Sequence, residues 1–385
     1  MISVADISLG FSPYRMALNH RLGHLYAASV VDGAIVAIDI ADLGAPSRLW
    51  EVGWQGKRMR VSLPPDPNDL IDYHETLVVS RVSDISVSPD AHQVALLGPD
   101  SAIEVRDART GKLVSSIGSD GRHRSACFHP NGISIIAGGW YEARDIKTRD
   151  CPGGLPPLVR AAIYRLDGGE IASQIESDCW GKVSVHPEEG LVAGIANNQG
   201  SVRLEFVRIA EGFRGPKTLV EDYTRIDGFA FSVRGDCFAA VGEEEGVISV
   251  EVFDFPSCSP RFCRFFRLPD SYQPTFQAPM QCLFQSDGTS VFFPVPTGFV
   301  LQLDAETGNE ISRWKAHDGP LYQLDLWPER GLLVTAGVDG IVRLWETERR
   351  VPATVSADRP LTKEFDRLGN RSIEIDHSDV KEELL

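Results

Sequence analysis

Nine histidines, seven cysteines and 54 acidic residues in a chain of 385 could do metal or acid/base chemistry if the fold groups them. The densest group is "HRSACFH", residues 123 to 129, in which His123, Cys127 and His129 are all zinc-ligand types. A strand sends neighbouring residues to opposite faces and His129 belongs to the "HPNG" turn that follows, so no metal site is predicted. His317 and Asp339 are the residue types of a histidine–carboxylate pair. Asp84, Asp227 and Asp325 are the acids a hydrolytic site could draw on. No glycine-rich phosphate loop, GxSxG elbow or HExxH motif occurs, and no cofactor is expected.

The elements that must position these residues repeat along the chain. His20, His92, His129 and His186 all fall at or beside one kind of turn, in "NHRLG", "SPDAH", "HPNG" and "HPEEG", and such equivalence marks turn chemistry. The turn, with a strand on each side, recurs in "MALNHRLGHLYA", "ISVSPDAHQVAL", "CFHPNGISII", "VSVHPEEGLVA", "FAFSVRGDCFAAV", "CLFQSDGTSVFF" and "LYQLDLWPERGLLV". Its seven copies lie 41 to 70 residues apart, and the shortest spacings match the 40 to 45 residues or so of one four-stranded propeller blade. A second signature, "DARTGKLVSSIG" (107 to 118) and "DAETGNEISRWK" (304 to 315), puts the same Asp and Thr-Gly at another fixed place in the unit. "RGD" at 234 to 236 occupies the first turn in one copy, so its likeness to an adhesion tripeptide is read as chance. "EEE" at 243 to 245 sits where the second-to-third-strand turn belongs and is read as a solvated charge cluster.

Composition narrows the partners. A net charge of -16 disfavours broad attraction to nucleic acid or an anionic membrane. There is no run of eighteen apolar residues and no leader-like N-terminus, and the cysteines form no CxxC pair. The expected compartment is the cytoplasm, with the nucleus left open.

The last repeat, "AHDGPLYQLDLWPERGLLVTAGVDGIVRLWE", carries His317, Thr335, Asp339 and Trp345 in the places of a buried hydrogen-bond network. Over residues 2 to 357 or so the chain resembles the WD-repeat β-propellers. Other copies depart from the pattern: "AIEVRD", "GAIVAID" and "FVLQLD" lack the Trp. The resemblance implies an all-β fold, a seven-bladed β-propeller of four-stranded antiparallel blades, and a non-enzymatic scaffold for protein–protein interaction. It also implies that His317 and Asp339 serve structure rather than catalysis. Residues 1–357 are expected to form the propeller and 358–385 a flexible acidic tail. Overlaying the Asp32–Gly33 turn on Asp339–Gly340 brings "ISVADI" beside "IVRLWE", so an N-terminal strand is expected to close the ring, with "VPATVSA" (351 to 357) as the rival.

Three of the spacings between turns exceed the blade length, and their surplus falls at residues 54–80, 140–160 and 269–279. In a four-stranded meander, the outer-to-next-inner connection and the second-to-third connection open on the same face, so all three crowd one rim. They carry Trp54, Arg58, Arg60, Trp140, Tyr141, Tyr272 and Phe276, an aromatic and arginine mixture suited to binding other proteins or peptides. The competing reading is a propeller hydrolase or lactonase working in the central channel. It ranks second because the predicted inner strands offer few carboxylates beyond Asp84, Asp227 and Asp325.

Overall fold

The computed structural model describes residues 1–29, 33–54, 82–98, 102–118, 123–139, 161–167, 171–175, 180–187, 191–198, 201–208, 218–223, 226–244, 246–269 and 281–347. They form seven four-stranded antiparallel sheets. From inner to outer strand, the first blade runs Pro13–Asn19, His24–Ser29, Ala34–Asp39 and Ser47–Gly53. The inner strands of the second to sixth blades are Asp84–Val87, His123–Phe128, Trp180–Val185, Gly228–Phe231 and Leu283–Phe284. The seventh blade takes Leu321–Trp327, Leu332–Gly337 and Ile341–Glu346 from one end of the chain and Ser3–Ser8 from the other. Ser3–Ser8 pairs antiparallel with Ile341–Trp345, Ile7 opposite Val342 and Asp6 opposite Arg343, so the N-terminal strand closes the ring. The rival closing segment, 351–357, lies outside the described residues.

The core lies between blades rather than within any one of them. Each middle strand is covered on both faces, which is why Leu332–Gly337 and Ser134–Gly139 are buried at every residue and read as unbroken small-apolar runs instead of alternating ones. One apolar cluster joins Leu25, Val36 and Ile38 of the first blade to Val334, Val342 and Leu344 of the seventh, and Ile7 and Leu9 belong to it. Another joins Val250, Val252 and Phe262 to Val291, Phe293 and Leu301 across the fifth and sixth blades.

The Asp–Thr–Gly signature has one geometry in both places. The Asp107 carboxylate accepts hydrogen bonds from the Thr110 amide (2.8 Å) and hydroxyl (2.7 Å), and Asp304 does the same for the Thr307 amide and hydroxyl at 2.8 Å each. The turn then needs a left-handed residue, supplied by Gly111 and Gly308 at φ +68°. Absence of a side chain has a second use there. A Cβ at Gly111 would lie 2.6 Å from the Trp50 ring, and one at Gly308 would lie 2.6 Å from Phe262, so an outer-strand aromatic of the preceding blade rests on each glycine. Trp50 adds a bond from its indole N–H to the Ala108 carbonyl (3.2 Å), which also accepts from the Tyr26 hydroxyl (3.0 Å).

The sixth blade departs from the expected strand "MQCLF": only Leu283 and Phe284 pair with the second strand. Cys282, just before them, turns its thiol toward the Ala239 carbonyl of the fifth blade (3.4 Å) and is buried there.

Candidate functional site

Because each blade is an antiparallel meander counted outward, its second-to-third connection and its link to the next blade emerge on one face of the ring. Residues 55–81 link Ser47–Gly53 to Asp84–Val87, residues 140–160 separate Ser134–Gly139 from Ala161–Arg165, and residues 270–280 follow Pro260–Arg267 and precede Leu283–Phe284. The described ends of all three therefore open on that single face. Of the seven rim residues, Trp54 alone is described; Arg58, Arg60, Trp140, Tyr141, Tyr272 and Phe276 lie outside the described residues.

Trp54 is half-buried at the root of the first insertion. Its amide donates to the Gly33 carbonyl at 3.0 Å. Its indole lies flat against Gly98, where a Cβ would overlap the ring, and it packs on the cluster of Ala28, Ile35, Val82 and Leu96. This seats the start of the insertion firmly in the gap between the first and second blades.

Beneath the same face, the seventh blade holds the His317, Thr335, Asp339 and Trp345 network. Trp345 donates its indole N–H to the Thr335 hydroxyl (2.9 Å), which lies 2.8 Å from His317 Nε2. His317 Nδ1 lies 2.9 Å from Asp339 Oδ1, and Arg343 donates to Asp339 Oδ2 at 2.7 Å. One proton assignment satisfies the whole chain: Thr335 donates to Nε2 and Nδ1–H donates to the carboxylate. The short Arg343 contact to Nδ1 (2.8 Å) is then a packing contact, because a ring nitrogen that already bears hydrogen cannot accept. Burial lowers the His317 pKa and keeps the imidazole neutral, against the pull of Asp339. Burial alone would raise Asp339, but hydrogen bonds from Arg343 and His317 outweigh it and hold the carboxyl below its usual range. Arg343 was not foreseen from sequence, although its place four residues after Asp339 and two before Trp345 on one strand face was the available signal.

The acids weighed for channel catalysis are engaged by backbone. Among the described residues, the inner strand of a blade pairs on one side only, so its other edge presents amides without a strand partner. Asp325 of the seventh blade accepts from the Leu18 amide of the first (2.8 Å) and from the Leu326 amide (2.8 Å). Asp84 of the second blade accepts from the Ser125 hydroxyl (2.8 Å) and Ala126 amide (3.1 Å) of the third. Ser86 caps the Phe128 amide in the same way, and Ser125 caps Val183 of the fourth blade. Asp227 accepts from the Glu243 amide at 3.0 Å. Burial raises the Asp325 pKa to about 6 despite its two amide bonds. Lys182 of the fourth blade feels the charges of Asp84 and Asp227, which oppose the lowering of its pKa by burial. The sequence reading missed Lys182, which stands on an inner strand, "GKVSV", that was scanned for acids alone.

Three other described histidines serve a turn or a packing contact. His129 Nδ1 accepts from the Asn131 amide (3.0 Å), as turn chemistry requires. His123 is buried with Nε2 2.7 Å from the Tyr164 hydroxyl, and His186 is buried against Phe231 and Phe255 with Nε2 2.9 Å from the Gly235 carbonyl. His186 thus joins two blades, a larger part than its turn position suggested. Glu243 is likewise more than a solvated charge, since its carboxylate accepts from the Gly246 amide (2.9 Å) and shapes the turn. Among the described residues, no three His, Cys, Asp or Glu side chains gather closely enough to hold a metal ion, and no helix is long and apolar enough to cross a membrane.

Seven antiparallel four-stranded blades, the last completed by Ser3–Ser8, define a closed β-propeller. The family model described as WD domain, G-beta repeat, matches residues 308–346, which span the outer strand of the sixth blade and three strands of the seventh. No curated protein matches the chain. The matched repeat and the seven-bladed ring together support a WD-repeat propeller. Propellers of this family are commonly protein-interaction scaffolds.

Proposed function

We propose that the protein is a non-enzymatic platform that binds partner proteins or peptides on the face from which residues 54–80, 140–160 and 269–279 emerge. The observation that carries this reading is topological: three insertions far apart in sequence have their described ends on one face of a rigid ring. Aromatic and arginine side chains at Trp54, Arg58, Arg60, Trp140, Tyr141, Tyr272 and Phe276 would supply the anchoring contacts, and prolines in the same stretches would limit the entropy lost on binding. The backbone roles of Asp84, Asp227 and Asp325 favour this reading over hydrolysis in the channel, because an acid holding amide hydrogens is poorly placed to activate water. Residues 358–385 are proposed as an acidic appendage to the propeller, and the cytoplasm as its compartment.

Affinity capture with the intact chain and with a chain in which all three insertions are shortened tests the proposal. The shortened protein is expected to keep its cooperative unfolding and to lose the partners captured by the intact chain. Equal capture by both would place binding elsewhere.

A further inference from the structure

Among the described residues, the outer strand of every blade has a strand on one side only, and six of the seven are acid-bearing or uncharged. Ser3–Ser8, Ser47–Gly53, Thr218–Tyr223 and Glu310–Lys315 each carry at least one acid, while Leu113–Ile117 and Ile171–Ile175 carry no charge. The fifth blade differs. Its outer strand Pro260–Arg267, "PRFCRFFR", holds three arginines, three phenylalanines and no acid, in a chain whose net charge is -16.

The devices that keep edges from pairing are confined here to charge and to the strand's start. Its one proline is its first residue, and its one irregularity falls between Pro260 and Phe262. From Phe262 to Arg267 the register with Val247–Val252 is unbroken. Phe265 is 58% exposed and is the one aromatic among the exposed large hydrophobic side chains of the described residues.

Alternation separates the strand's two faces. Phe262 and Phe266 pack toward the sixth blade, and Arg264 on that face reaches the same turn, donating to the Gly308 carbonyl (3.1 Å) and Asn309 Oδ1 (3.1 Å). Both acceptors are neutral, so Arg264 is held in place without a carboxylate on those bonds. Arg261, by contrast, pairs with Asp254 (2.7 Å) and Glu306 (3.4 Å). Phe265 lies on the opposite face, and Arg267 is exposed beside it.

We propose that Phe262–Arg267 is a docking edge to which an extended acidic segment of a partner protein adds as a fifth strand. An incoming strand with alternating acidic and apolar residues sets its carboxylates beside Arg264 and its apolar side chains beside Phe265, the cross-strand pairing that stabilises sheets. This edge is on the outer circumference of the ring and ends at the root of the 269–279 insertion, and its test does not depend on what the insertions bind.

The probe is a fluorescein-labelled alternating Glu-Val decapeptide, added to the full-length protein and followed by anisotropy, with the Lys-Val decapeptide as its counterpart. Only the acidic peptide is expected to bind, more weakly as salt rises. The variant Arg264→Glu is expected to bind about tenfold less tightly or worse. Phe265→Ser, which removes an exposed side chain, is expected to weaken binding while leaving the unfolding curve in place. On peptide addition, amide exchange across residues 262–267 is expected to slow. The proposal is overturned by equal binding of the two peptides, by no binding of either, or by affinity that ignores both the charge reversal and Phe265→Ser. Amides already protected in the free full-length chain but exposed in a chain ending at residue 357 would instead assign the edge to the protein's own acidic tail, and would also overturn it.

Discussion

Deleting residues 1–10 is expected to lower the stability of the propeller by on the order of 5 kcal/mol and to make the protein prone to self-association. Two terms set the size. Ile7 and Leu9 are 6% and 3% exposed, and each contributes roughly 2 kcal/mol by burial against the cluster shared by the first and seventh blades. The pairing of Ser3–Ser8 with Ile341–Trp345 is lost with them, together with the Asp6 bond to Arg343 (3.3 Å) and the Leu9 amide bond to the Gly340 carbonyl (3.0 Å). The seventh blade is then three-stranded, with a bare edge at Ile341–Glu346. Urea denaturation followed by fluorescence reads the loss as a lower midpoint, and sedimentation reads the association. A variant that unfolds like the parent would mean that Ser3–Ser8 does not close the ring.

Asp339→Ala is expected to cost roughly 3 kcal/mol at neutral pH, more than an exposed aspartate would. The substitution leaves the His317 Nδ1–H and the Ile341 amide (3.2 Å to Oδ1) without their acceptor and leaves Arg343 with Asp6 and the Ala316 carbonyl only, at a site where His317 is fully enclosed and Arg343 is 15% exposed. Thr335→Val should cost somewhat less, about 2 kcal/mol, by stranding the Trp345 N–H and the His317 Nε2 together. The pH dependence has a definite sign. The Asp339 pKa is lower in the folded state than its ordinary 3.8, so its contribution is fully present above about 4 and is lost as pH falls through the folded value. The gap between parent and Asp339→Ala should therefore be flat near neutrality and narrow below about pH 4. His317, whose pKa is also lowered, adds a loss of parent stability that begins as pH falls below 6.5. Asp325 acts in the opposite direction: its contribution is fully present below 3.8 and diminishes as pH rises through about 6. Denaturation curves from pH 3 to pH 8 resolve these limbs. A gap that stays constant down to pH 3 would show that the Asp339 carboxylate does not hold the network.

The features legible in the sequence are those fixed by local geometry. A left-handed glycine at 111 and 308, with an aspartate three residues before the amide it accepts, marks one fixed place in the unit, and the seven copies of the first-to-second-strand turn allow the repeat to be counted from the residues alone. The closing strand was legible because the same repeat phase, extended past Ile341–Glu346, leads to residues 2–7. What escaped depends on the ring being closed. That Asp325 would hold the Leu18 amide, 307 residues away, follows only once the first and seventh blades are neighbours. The same is true of Lys182 feeling the charge of Asp84, and of His186 lying against the fifth blade. The catalytic look of those inner acids was a residue-type signal, and its resolution came from the inner edges they serve. Of the candidate rim, the sequence supplied the composition and the topology supplied the common face.

The account rests on the two ends of the chain meeting in one blade, since that makes the blades a single ring and brings loops far apart in sequence onto one face. Amide hydrogen exchange at Ser3–Ser8 in the full-length protein tests this most directly. The account predicts that the amides of Ser3–Ser8 that pair with the neighbouring strand exchange as slowly as those of Ile341–Glu346 and lose protection together with them as denaturant is raised. Free exchange at Ser3–Ser8, with residues 351–357 protected in their place, would contradict it.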